Sequence, residues 1–216
     1  MLILLPPSEA KNQPVGKSVL DLTKLTFGKE LLDIRNRLLN KTLTKSPIAP
    51  ALSVYSGVLY QALDWDSLST TSKKRGEKSL LVISALFGVL RPSDKIPHYK
   101  YKIKISDWKI ALKPVLDGLD TDLIIDCRSS TYAGIWRSDP TKTVLIRVYK
   151  KQGGKLSVIT HFSKKYRGEL VRLILRSNTA LKSPQDLLAI AEEKFTCKLR
   201  KNSDEKPWYL DLIING

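Results

Sequence analysis

The chain has 216 residues, 42% of them hydrophobic, enough for one sizeable core and a first expectation of a single domain over 1–216. No run of about 18 apolar residues occurs, so no membrane span is expected, and the apolar start through Pro7 is too short for a signal h-region and lacks a basic n-region. Thirty-seven Lys and Arg against 21 Asp and Glu give a net charge of +16, which points to a polyanionic partner, nucleic acid first.

In chain order, Leu2 to Leu5 reads as a buried strand stopped by Pro6-Pro7, followed by a polar loop over 8–17. Helical spacing over 29–40 turns Leu31, Ile34, Leu38 and Leu39 inward, and a short helix is expected over 55–65 around Val58, Leu59 and Leu63. The apolar run 80–85 reads as a fully buried strand. Alternation over 99–105 reads as a strand with Tyr99, Tyr101, Ile103 and Ile105 inward and lysines outward. Asp107 then caps a helix from Trp108 to Gly118, with Pro114 inside it.

Residues 123–126 form another buried strand, and 144–149 and 156–162 form a hairpin around Gly153-Gly154. Ser163 is a natural N-cap for a helix over 164–177, and Ser183-Pro184-Gln185-Asp186 opens a second. A last strand is expected over 209–214. This order implies an α/β fold, a single compact domain with a mixed β-sheet flanked by helices.

The charge is clustered. Residues 147–176 hold nine basic residues against one acid, net +8; 91–113 hold seven against two, net +5; and 73–78 add +3. These segments account for the whole excess. With no export signal, Cys127 and Cys197 are expected to be reduced thiols in a cytoplasmic protein. Two histidines and two cysteines without ligand spacing imply no dedicated metal site, and Gly153-Gly154 is a turn rather than a phosphate loop, so no cofactor is expected.

Three constellations bear chemistry. Asp126-Cys127-Arg128-Ser129-Ser130-Thr131-Tyr132 follows a buried strand, where α/β proteins place sites. Arg128 and the hydroxyls suit a phosphate or sugar, and Cys127 is a conceivable nucleophile. The plainer reading makes Asp126 and Ser129 helix caps and Cys127 a small packed hydrophobe. His161-Phe162-Ser163-Lys164-Lys165-Tyr166-Arg167-Gly168 runs a strand end into a basic helix start, which attracts phosphate or is a solvated face with Lys165 and Glu169 paired. Ser8, Glu9 and Lys11 leave the first strand and either serve a site or close a turn.

Four segments carry a family resemblance. Met1-Leu2-Ile3-Leu4-Leu5-Pro6-Pro7-Ser8-Glu9-Ala10-Lys11, Tyr55-Ser56-Gly57, Leu86-Phe87-Gly88-Val89-Leu90-Arg91-Pro92 with Asp94, Pro97 and Tyr99, and Phe162-Ser163-Lys164-Lys165-Tyr166-Arg167-Gly168 with Arg172 resemble segments of the YaaA peroxide-stress family, in order. The resemblance implies a YaaA-like fold, a cytoplasmic protein of the peroxide stress response, DNA binding in a basic cleft with a helix-hairpin-helix-like element, and no assigned catalytic activity. Residues 29–50 contain no Gly, so the hairpin-helix glycine pattern is not evident here.

The resulting expectation is a protein whose partner is DNA, duplex or branched, ahead of RNA, bound mainly through phosphates. Its contacts would be Arg91, Lys95, Lys164, Lys165, Arg167 and Arg172, with residues 88–92 as a hinge that aims cations; one continuous basic groove joining the Arg91 and Lys164 segments would favour this reading. The alternative is an enzyme acting on a phosphorylated or nucleic-acid substrate in a strand-end pocket of Ser8, Lys11, Asp126, Arg128, Ser129 and Tyr132.

Overall fold

The computed structural model describes residues 1–158 and 162–215. The first strand, β1 (Leu2–Leu5), is followed by α1 (Leu32–Leu38), α2 (Lys41–Thr44), β2 (Ile48–Pro50), α3 (Ala51–Val54), α4 (Val58–Leu63) and α5 (Thr70–Ser79). The middle of the chain carries β3 (Leu80–Ser84), β4 (Gly88–Leu90), β5 (Lys95–Pro97), α6 (Ile105–Asp117), β6 (Ile124–Asp126) and α7 (Ser130–Ala133). It ends with β7 (Thr143–Gln152), β8 (Lys155–Val158), α8 (Ser163–Arg176), α9 (Pro184–Glu192), β9 (Thr196–Lys201) and β10 (Trp208–Asn215).

The main sheet has the order β4-β3-β1-β6-β7-β10-β9. The run β3-β1-β6-β7-β10 is parallel, and β4 and β9 are antiparallel edges. This is the expected mixed α/β sheet. Strand β7 outruns β6, which pairs only with Thr143, Val144 and Leu145; the overhang from Tyr149 to Gln152 pairs with β8 on the side β6 vacates. Gly153 and Gly154 close that hairpin with φ of 57° and 78°, the paired left-handed residues of a tight turn. The continuation expected over 159–161, His161 included, lies outside the described residues; Phe162 is a turn residue before α8.

Side-chain alternation sorts the core into two layers. Ile3, Leu5, Leu80, Val82, Ile125, Val144, Ile146 and Val148 pack with α4, α8 and α9. Leu2, Leu4, Leu81, Ile83, Val89 and Ile124 pack with Trp108, Leu112 and Leu116 of α6. Helix α9 starts as the sequence predicts: Ser183 and Asp186 form a reciprocal capping box with Pro184 at the first position.

Glycines set two close approaches. A Cβ on Gly168 of α8 would lie 2.2 Å from the Leu59 carbonyl oxygen and 2.9 Å from the Ala62 methyl of α4. The two helices therefore touch backbone to backbone. Gly168→Ala should lower stability by about 2 kcal/mol, overpacking exceeding the gain of about 1 kcal/mol in helix propensity; an unchanged midpoint in equilibrium urea unfolding would contradict this crossing. A Cβ on Gly57 would similarly meet Ser8 Oγ at 2.2 Å, so the loop after β1 rests on the start of α4.

Two expectations give way. No strand forms over 99–104; Tyr99 is buried, but the chain enters α6 three residues earlier than Trp108, with Asp107 in its first turn and Ile105 exposed. Residues 88–92 are not a hinge that aims cations. Gly88 and Leu90 belong to β4, and Arg91 turns back to donate from Nη1 to the Glu77 and Lys78 carbonyls at 2.7 and 2.9 Å, capping α5.

Candidate functional site

Because β3, β1 and β6 are parallel neighbours, the segments leaving them meet at one carboxyl edge. From β1 come Ser8 and Lys11, from β3 comes Ser84, and from β6 come Asp126 through Tyr132. The Tyr55 hydroxyl lies 2.8 Å from that of Tyr99, which lies 2.8 Å from Ser84 Oγ. Ser84 Oγ also accepts from the Phe87 amide at 3.0 Å. Tyr60 donates to the Pro6 carbonyl at 2.7 Å, tying α4 to the same loop. Burial raises the tyrosine hydroxyls, that of Tyr99 to about 12 and those of Tyr55 and Tyr60 well above the usual value, so all three stay protonated.

Lys11 closes this cluster. Its Nζ donates to the Ser8 carbonyl at 2.6 Å and lies 4.5 Å from the ring centroid of Tyr99 and 5.6 Å from that of Tyr55. Burial pulls the ammonium below its ordinary value, opposed by Glu9. Tyr132 is half-buried, and burial together with Glu9 raises its hydroxyl. The Lys11–tyrosine set is an amine and a hydroxyl relay with no carboxylate in salt-bridge contact among the described residues.

Asp126 and Arg128 are spent on each other. Asp126 Oδ1 accepts from the Arg128 amide and from Nε, each at 2.9 Å, and Oδ2 accepts from Nη2 at 2.7 Å; the side chains are 3% and 1% exposed. Nη1 donates to the Tyr132 carbonyl at 3.3 Å. The guanidinium is thus a closed buried fork rather than a donor for a ligand. Ser129 sits at the N-cap of α7 without a side-chain capping bond. Cys127 is fully buried, and burial pushes its thiol to about 12, opposed by Arg167 and reinforced by Asp126, which removes the thiolate a nucleophile needs.

The arginines expected on DNA are largely tied to carbonyls. Arg167, the fifth residue of α8, donates to the carbonyls of Cys127, Arg128 and Ile146 at 3.4, 3.3 and 3.1 Å, stitching the segment that leaves β6 to the middle of β7. Arg172 donates to the Leu63 and Asp64 carbonyls at 3.1 and 2.7 Å and pairs with the Asp64 carboxylate at 3.3 Å, capping α4. Arg91 lies at the opposite, amino end of the parallel strands, since β4 runs antiparallel with Val82 opposite Leu90. Lys95 follows it in β5, which pairs with β2 outside the main sheet. One groove joining Arg91 to Lys164 is therefore not what the topology builds.

Lysines do gather at the carboxyl edge. Lys164 and Lys165 are exposed in the first turn of α8, and Lys165 Nζ is 3.8 Å from Glu169. Lys151 and Lys155 are exposed on the β7–β8 hairpin, and Lys150 is half-buried there. Lys100, Lys102 and Lys104 are exposed in the segment from Tyr99 to α6, whose first residue, Ile105, packs beside Gly134 at the end of α7. Sequence reasoning did not place Ser84 in the site; its signal is a polar residue ending an otherwise apolar buried strand. No helix among the described residues is long and apolar enough to cross a membrane.

Residues 1–200 match the family described as peroxide stress protein YaaA. The chain is 29% identical to a UPF0246 protein of Streptomyces coelicolor over 100% of its own length and 99% of the relative's. It is 34% identical to one of Corynebacterium efficiens, covering 82% of this chain and 86% of the relative, and 31% identical to one of Corynebacterium glutamicum, covering 89% and 92%.

Proposed function

Since the chain belongs to the YaaA peroxide stress family, we propose that it serves that response by binding DNA, duplex or branched, through phosphate contacts along the carboxyl edge of its sheet. The supporting observation is the convergence there of three lysine-bearing segments, 100–104, 150–155 and 164–165, whose cations, Lys165 aside, have no salt bridge among the described residues. Unpaired lysines on irregular and hairpin segments suit a sequence-independent phosphate backbone. Arg167 contributes by holding the segment after β6 and the middle of β7 against α8, and Arg172 and Arg91 by fixing the helices behind them.

The expected result is steep salt dependence, with about 0.9 log units of affinity per phosphate contact for each log unit of salt. Lys164→Gln combined with Lys165→Gln should lower that slope by about 1.8 and weaken binding roughly 60-fold near 0.1 M salt. Fluorescence anisotropy with a labelled duplex measures both. Affinity that stays flat between low and moderate salt would exclude phosphate binding as the mechanism.

A further inference from the structure

The sheet is covered on both faces only in part. On the face that packs with α6, the apolar layer runs under β4, β3, β1 and β6 and stops there; no residue of β7, β10 or β9 joins it. Parallel strands are ordinarily buried on both sides. Here alternation turns Arg147, Tyr149 and Lys151 of β7 away from the buried Val144, Ile146 and Val148. The register places Asp211 opposite Arg147, Arg200 opposite Tyr209, and Lys198 opposite Asp211 on the same open face. Leu156 and Val158 of β8, paired with Lys151 and Tyr149, extend this face and are 53% and 67% exposed.

The groups on this face are held in place. Asp211, itself buried, accepts from Arg147 Nε at 2.7 Å through Oδ1 and pairs through Oδ2 with Arg200. The Arg147 guanidinium lies 4.2 Å from the Tyr209 ring centroid and 5.6 Å from that of Tyr149. Arg200 also interacts with the Tyr149 hydroxyl. One carboxylate thus orients two guanidinium groups beside two half-exposed tyrosine rings, with Lys151 and Lys198 exposed alongside.

We propose that this open face of β7, β10 and β9 is a second nucleic-acid site, one that takes a single strand by stacking its bases on Arg147, Tyr149 and Tyr209. Unpaired bases stack on aromatic rings and guanidinium planes. A duplex keeps its base faces covered, so only a single strand can offer bases to these rings. Lys151, Lys198 and Arg200 meet the phosphates that flank the stacked bases. Lys151 apart, which borders both, the site is separate from the lysine edge proposed for duplex binding, and each can fail without the other.

The test is anisotropy with labelled oligo-dT and oligo-U of about a dozen nucleotides, beside a duplex of equal length. Tyr149→Ala with Tyr209→Ala should weaken both single strands at least 10-fold and the duplex less than 2-fold, while Tyr149→Phe with Tyr209→Phe restores single-strand binding. A loss on dT alone or on U alone still places a stacked strand here and tells which of the two polymers it takes. Single-strand affinity unchanged in the alanine pair, an equal loss on duplex and single strand, or failure of the phenylalanine pair to rescue would each overturn the proposal. If the alanine pair does not fold, photocrosslinking of a halogenated-uracil oligonucleotide to the unmodified protein decides: adducts on β7 or β10 support the site, and adducts confined to 100–104 or 164–165 refute it.

Discussion

Replacing Arg35 with methionine should destabilise the fold by about 3–5 kcal/mol, because the shorter side chain leaves backbone acceptors unpaired and a small void where the guanidinium lay. Arg35 is fully buried in α1. Its Nε donates to the Phe87 carbonyl at 3.0 Å, Nη2 to those of Val89 and Thr26 at 3.0 and 2.8 Å, and Nη1 to that of Phe27 at 3.4 Å. Asp94 reaches the same junction, accepting from the Thr26 and Arg91 amides at 3.0 and 2.8 Å. Burial pulls the guanidinium down to about 10, still charged at neutral pH. Methionine relieves that desolvation, but four carbonyls lose a charged donor; those of Phe87 and Phe27 keep the Val89 and Leu31 amides at 3.0 and 3.1 Å, so the loss falls mainly on Val89 and Thr26, at about 1–3 kcal/mol each, and that loss wins. Arg35→Lys should recover less than half, because one nitrogen cannot span acceptors that a planar fork bridges. Guanidinium unfolding gives the free energies; equal midpoints for wild type and the methionine variant would disprove the account.

Gly88→Ala should cost about 3 kcal/mol from two sources. Gly88 has φ of +76°, a left-handed conformation that disfavours a Cβ by roughly 1–2 kcal/mol. The added Cβ would also lie 2.4 Å from the ring of Trp108, which is fully buried and donates from its indole N–H to the Ala85 carbonyl at 2.8 Å. That ring cannot swing away without breaking its hydrogen bond, so overpacking adds a further 1–3 kcal/mol or so. Gly153→Ala is the internal control: φ is +57° but nothing lies within 4 Å, so only the backbone penalty applies. Urea midpoints and Trp108 fluorescence measure both, and equal losses at the two positions would remove the ring from the argument.

These two sites show what the sequence reveals and what it conceals. The buried strands β1, β3 and β6, the Gly153-Gly154 hairpin and the start of α9 were legible because each rests on local chemistry, an apolar run, a paired-glycine turn or a capping box. Helix α5 was not read, because its buried face is Ser72, Gly76 and Ser79, which has helical spacing but no hydrophobicity. Strand β9 is an exposed edge dense in Lys and Arg, so its alternation carries little contrast. Arg35 carried a usable signal: it falls on the stripe of Leu31 and Leu38, at the fourth and seventh positions of a helix face, where a cation must find acceptors.

The candidate site was legible in composition and obscure in geometry. Sequence places Ser8, Lys11 and residues 126–132 after strands, and parallel pairing brings them to one edge. It does not show that Arg128 folds back on Asp126, or that Arg91, Arg167 and Arg172 face carbonyls at helix and strand ends. Counting cations measures the charge available; the acceptors that consume it come from tertiary structure.

The position of β1 has a consequence for biogenesis. It is made before every other strand of the sheet, yet it lies inside the sheet between partners that begin near residues 80 and 124. On the ribosome its four apolar residues must wait for more than a third of the chain before the first hydrogen-bonding flank can close, and for more than half before the second. Such distant pairing slows folding and prolongs exposure of a sticky segment. The prolines that end β1 and the charged stretch beyond them then act as guards, limiting how far a stray strand could propagate along it before its partners emerge.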